Sequence, residues 1–185
     1  MSPGLAGKRV LILGAETEIG RAITTAVAGA GASVAAVAAT SEAEAAFAVQ
    51  RLARQLSSGG PRVIAQAIDA TNEAAVRVMV RQVSKELGGM NAVVDSTRVG
   101  DPGPVAPPGA SRPHQLILRF GAKELFRGGG GRFVVVKSAA WDKVALEVHM
   151  DTPKLTIHRV SFDREPPRTV AEEILSAIAG ETESG

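Results

Sequence analysis

The glycines Gly14 and Gly20 stand between a short apolar run, Val10 to Leu13, and a segment whose apolar residues Ile19, Ile23, Ala26 and Val27 fall on one helical face. Strand, glycine turn and helix in that order make an anion site. The turn sets backbone N–H groups and a helix N-terminus against a phosphate, with glycines wherever a side chain would block the approach. Ser138, which closes the run Val134-Val-Val-Lys137-Ser138, is the next residue with chemical potential. Lys137 beside it has the right type for a Ser/Lys pair, but strand neighbours point to opposite faces, so the two do not cooperate. No Gly-x-Ser-x-Gly elbow occurs, so a hydrolase triad lacks its usual entry point. The chain has no Cys, which removes thiol chemistry, a disulfide frame and cysteine zinc sites. His114, His149 and His158 are scattered. His149 and Asp151 offer two metal ligands, nothing completes a set at zinc spacing, and no metal is expected.

Positioning these residues requires alternating strands and helices, and the hydrophobic pattern supplies them. After the first helix, Ser33 to Val37 reads as a second strand and Glu42 to Leu56 as a second helix, stopped by Ser57-Ser-Gly-Gly-Pro61. Val63 to Ala67 is a third strand. Asn72 to Leu87 is a third helix, with Val76, Met79, Val80, Val83 and Leu87 as its buried stripe, and Ala92 to Val94 is a fourth strand. The Pro/Gly-rich segment from Val99 to Pro113 predicts an irregular surface loop. A helix over His114 to Phe126 leads to a fifth strand, Phe133 to Val136, whose continuous apolar character suits a buried centre strand. Trp141 to Met150 fits a short crossover helix or a strand turning at Asp151-Thr-Pro-Lys154. Leu155 to Val160 reads as the sixth strand and Val170 to Ile178 as the last helix. Strands alternating with helices predict an α/β parallel sheet, and 185 residues with 45% hydrophobic and 22% charged content predict one domain over residues 1–185.

The glycine turn resembles the cofactor turn Thr-Gly-x-x-x-Gly-x-Gly of the short-chain dehydrogenase/reductase family, in its 3-oxoacyl-ACP reductase branch. Gly14 and Gly20 match two of the glycines, Glu18 replaces the middle one and Leu13 stands for the Thr. The resemblance runs from Leu5 to about Ser138 and more faintly over Leu155 to Ala179. It implies a Rossmann-like doubly wound sheet in the order 3-2-1-4-5-6, truncated at the C-terminus. It also implies cofactor contacts from Gly14, Ile19 and Gly20, and from Asp69-Ala70 after the third strand, where the family's Asp recognises the adenine amino group. The second strand ends in Ala38-Ala39-Thr40-Ser41, without the acidic residue that selects NAD. Thr40 and Ser41 therefore imply NADP(H) if they face the cofactor, or a cap on the second helix if they do not. Glu16 and Glu18 bring two carboxylates to the diphosphate position. Like charges at about 4 Å cost roughly 1 kcal/mol in water and ~4 at an intermediate dielectric, so cofactor affinity is expected to be poor. Asp95-Ser96-Thr97-Arg98 replaces the family's Asn-Asn-Ala-Gly. Arg98 there reads as solvent-facing or as an ion-pair partner of Asp95, Glu16 or Glu18.

By the same resemblance Ser138 matches the family's substrate-orienting Ser, while the proton-donating Tyr has no counterpart because the chain contains no Tyr. Only residues 139–154 separate Ser138 from the sixth strand, too few for the family's Tyr-x-x-x-Lys helix. Ser138 otherwise reads as the cap of a short helix. Two functions follow. One is a pseudoenzyme subunit without redox activity, partnered by a complete paralogue or by itself. The other is an atypical NADP(H)-dependent oxidoreductase acting on a carbonyl/alcohol pair. The formal charge of +2, with no Lys/Arg cluster in sequence, gives no nucleic-acid footprint. No stretch reads as a signal peptide or membrane span, so a cytoplasmic protein is expected.

Overall fold

In a computed structural model of the chain, residues 2–99, 112–141, 154–163 and 165–180 are described. Six strands form one parallel sheet in the order β3-β2-β1-β4-β5-β6. They are β1 (Arg9–Leu13), β2 (Ser33–Ala38), β3 (Val63–Ala67), β4 (Ala92–Arg98), β5 (Gly131–Lys137) and β6 (Leu155–Ser161). The helices are α1 (Glu18–Gly29), α2 (Ala43–Ser57), α3 (Glu73–Leu87), α4 (Pro113–Arg127) and α5 (Pro167–Ala179). β1 pairs with both β2 and β4, so the chain reverses its direction of winding there, and in such sheets a ligand crevice lies beyond the carboxyl ends of the two strands at the reversal, here β1 and β4.

Each face of the sheet carries its own apolar layer. Ile23 and Val27 of α1, Val49 of α2 and Ile174 and Ile178 of α5 pack against Val10, Ile12, Val94 and Val134 on one face. Val76, Val80 and Val83 of α3 and Ile117 and Leu125 of α4 cover Leu11, Leu13, Val93 and Phe133 on the other. Alternate residues of one strand enter opposite layers, which is why Val10 to Leu13 of β1 and Phe133 to Val136 of β5 read as unbroken apolar runs. Full burial of a residue such as Phe133 contributes about 1.5–3 kcal/mol.

Most element boundaries agree with the hydrophobic pattern to within a residue or two. β4 does not. Its expected end at Val94 is overrun to Arg98, which pairs with Lys137 across a register irregularity after Asp95. The polar run Asp95-Ser96-Thr97 remains strand because hydrogen bonds take up part of its polar side-chain groups, Asp95 with Thr97 locally and Ser96 with β1. Asp95 Oδ1 accepts from the Thr97 amide at 2.9 Å and its hydroxyl at 2.6 Å, and Ser96 Oγ donates to the Leu13 carbonyl at 2.6 Å. The expectation that Thr40 or Ser41 caps α2 is likewise corrected. The cap position is Glu42, with no side-chain cap bond, and Thr40 Oγ1 accepts from the Glu42 amide at 3.3 Å. After β5 a single 3-10 turn, Ala139–Trp141, begins with the Trp141 amide donating to the Ser138 carbonyl. The helix-or-strand alternatives for Trp141 to Met150 and the loop expected after Val99 otherwise fall outside the described residues.

Candidate functional site

The turn between β1 and α1 is held mainly by its own atoms. Thr17 caps α1: its Oγ1 accepts from the Gly20 amide at 3.0 Å and donates to the Gly14 carbonyl at 3.0 Å. Gly14 adopts φ +90°, and a Cβ there would lie 2.6 Å from Ser96 Oγ. A Cβ on Gly20 would fall 1.9 Å from the Gly14 carbonyl oxygen. Both obstructions are protein atoms, so these glycines are required by the packing of helix on turn whether or not a phosphate arrives. With the Gly20 amide taken by Thr17, Glu18 and Ile19 supply the two first-turn amides that lack an intrahelical acceptor. The Ile19 side chain is buried in the core, leaving only its amide for a ligand. Two amides and a helix dipole fit a phosphate. The exposed Glu18 carboxylate beside them opposes one while favouring the helix by ~0.3–1 kcal/mol.

The carboxylate of Glu16, expected at the diphosphate position, is directed toward the end of β2. Its Oε2 accepts from the Ala39 amide at 3.1 Å, at the residue that follows β2, and half-burial raises its carboxyl above the usual range against the lowering effect of backbone hydrogen bonds. The turn after β1 thus delivers a carboxylate to the end of β2, where the sequence places none. Thr40 and Ser41 follow directly, half-buried and exposed respectively. Asp69 is exposed; its Oδ1 accepts from the Thr71 amide and hydroxyl, which hold its carboxyl below the usual range. Ala70 lies fully buried, its amide donating to the Ala39 carbonyl. Of the sequence-derived cofactor residues, Gly14, Gly20, Thr40, Ser41 and Asp69 border the carboxyl ends of β1, β2 and β3, while the side chains of Ile19 and Ala70 serve the core.

Across the crevice, β4 ends in a buried polar group. Arg98, read from sequence as solvent-facing or paired, is 2% exposed, with Nε 3.7 Å from Asp95 Oδ2. Burial raises the Asp95 carboxyl, against the lowering effect of Thr97 and Arg98, and lowers the Arg98 guanidinium. His114, at the start of α4, is buried edge-on to Trp141, with ring centroids 5.2 Å apart. Burial, then the charges of Arg98 and Arg112, depress it to about 4, so its imidazole is neutral near pH 7. Among the described residues, Asp95 Oδ2, Arg98 Nε and His114 Nε2 are buried without a hydrogen-bond partner. Ser138 sits half-buried at the end of β5, its amide donating to the Arg98 carbonyl at 3.0 Å. Sequence reasoning weighed His114 only as one of three scattered histidines and as the start of the fourth helix, and no periodicity marked it as buried. Among the described residues no group of three potential metal ligands occurs.

A model of the short chain dehydrogenase family matches residues 8–107. A short chain dehydrogenase of Pseudocercospora fijiensis (strain CIRAD86) is 32% identical over 101 residues, 55% of this chain and 31% of that protein, so the chain spans about a third of the curated relative's length. A short-chain type dehydrogenase/reductase from Mycobacterium ulcerans superposes with a TM-score of 0.61 at 26% identity, over 77% of this chain and 55% of its own. A short chain dehydrogenase from Mycobacterium smegmatis gives a TM-score of 0.75 at 17% identity, over 99% of this chain and 91% of its own, a likeness of fold alone. With the sheet order, the glycine turn and a match over more than half its length in agreement, the chain belongs to the short-chain dehydrogenase family.

Proposed function

We propose that this protein does not carry out the family's oxidoreductase reaction by itself and serves as a structural or regulatory subunit that holds an adenine nucleotide weakly. The observation that carries this reading is the crevice between β1 and β4. Ser96 ties the end of β4 to Leu13 of β1, the Asp95–Arg98 pair is buried at that end of β4, and no tyrosine exists anywhere in the chain to protonate a substrate oxygen. Ser138, the one residue resembling the family's relay, has no phenol to work with. The hydroxyl residues Thr40 and Ser41 support NADP(H) as the nucleotide, and the carboxylate of Glu16 beside them argues against it.

The outer surfaces of α3 and α4 support a protein partner. Val78 and Phe126 are each 48% exposed, and a shallow groove between the two helices gathers Arg77, Arg81, Lys123 and Arg127 around Phe120. Glu124 is the only carboxylate lining it among the described residues and pairs with Arg127 at 2.9 Å. Two copies facing each other here would oppose like charges, so a different polypeptide suits this face better than self-pairing.

A second reading, an atypical NADP(H)-dependent oxidoreductase, is favoured by Asp95, Arg98 and His114, three buried ionisable residues at the β4–α4 end of the fold, each with an atom that lacks a hydrogen-bond partner among the described residues. A steady-state assay separates the two. Purified protein with reduced nicotinamide and a panel of ketones and aldehydes is expected to leave the dihydronicotinamide absorbance unchanged. Substrate-dependent oxidation that disappears in Ser138→Ala would establish the second reading.

A further inference from the structure

The geometry points to Glu16 as the residue that decides which nucleotide the crevice takes: it accepts an unmodified adenosine ribose and turns away one that carries a 2′-phosphate. The inference rests on the reading that the crevice still holds an adenine nucleotide. Glu16 belongs to the turn after β1, yet its carboxylate reaches across to the Ala39 amide after β2. In open α/β sheets an acidic residue near the end of the second strand receives the ribose hydroxyls, and a cation there receives a 2′-phosphate. Residues 38–41 of this chain are Ala-Ala-Thr-Ser and contain neither.

Glu16 fills the role from a neighbouring element. The Ala39 amide, bonded to Oε2, and the amide of Glu16 itself hold the carboxylate in place, and its two oxygens have acceptor capacity beyond those two bonds for a hydroxyl hydrogen. A carboxylate accepts hydrogen bonds from a vicinal diol and offers none to a phosphate dianion, which it repels. Thr40 adds no counter-charge, and its Oγ1 already accepts from the Glu42 amide. The nearby hydroxyls, which in sequence pointed to NADP(H), thus lie beside a fixed negative charge that a linear reading cannot place.

Calorimetric titration of the whole protein with adenosine 5′-monophosphate and with its 2′-phosphorylated counterpart tests this directly. The wild-type chain is expected to bind the unmodified nucleotide about tenfold or more tightly than the other. Glu16→Gln, which keeps an oxygen for Ala39 and drops the charge, is expected to bring the two affinities within about twofold. Glu16→Ser, without the reach, should do the same, and thermal melts of both variants report whether they fold. Equal or tighter wild-type binding of the 2′-phosphorylated nucleotide, or a preference unchanged in folded variants, overturns the role of Glu16 and leaves the nucleotide reading standing. If neither nucleotide binds the wild type or either variant, the nucleotide reading fails and the inference with it.

Discussion

His114 shows how a single buried group can tie stability to pH. Its imidazole is depressed to about 4 from an ordinary 6.5, chiefly by burial, so the unfolded chain takes up a proton more readily than the folded one. The stabilisation from keeping it neutral is complete above about pH 6.5 and is lost as pH falls toward about 4, amounting to about 2 kcal/mol already lost at about pH 5. His114→Phe keeps an aromatic edge against Trp141 and removes the titration. Urea unfolding at pH 7 and pH 5 should therefore show a smaller acid loss in the variant than in the wild type, and equal losses would count against a buried, neutral His114. None of this was legible in the sequence, where three separated histidines resemble one another. Arg98 is similar: only the fold shows that a residue three positions from Asp95 on an irregular strand turns inward.

At the scale of elements the sequence was informative wherever periodicity had one solution. The helical stripes of α1 and α3 and the apolar runs of β1 and β5 place both core layers without help from the structure. It was misleading where polar residues continue a strand, as at Asp95 to Arg98, because local hydrogen bonds can satisfy what periodicity reads as a loop. The glycine turn was found correctly and explained only in part. Gly20 answers first to the Gly14 carbonyl, 1.9 Å from where its Cβ would be. Gly20→Ala is accordingly expected to cost about 3 kcal/mol in denaturant unfolding with no nucleotide present. A variant as stable as the wild type in the absence of nucleotide would mean that the turn can relax and that the glycine serves ligand binding instead.

At the scale of the molecule, contacts between elements far apart in sequence set the character of the crevice. Glu16 reaches Ala39, Ser96 reaches Leu13, and four cations from two helices meet in one groove although no cluster is visible along the chain. The sheet order followed from the resemblance, whereas these links required the fold. Among the described residues no helix is long and apolar enough to cross a membrane. The central claim is that the family's architecture is kept here without a proton donor of its own. The most direct test is a single-turnover experiment in which protein in excess of deuterium-labelled reduced nicotinamide is mixed with a reactive ketone and the product alcohol is examined by mass spectrometry. The account predicts no label in the alcohol above the protein-free control, and label transferred by this polypeptide alone would contradict it.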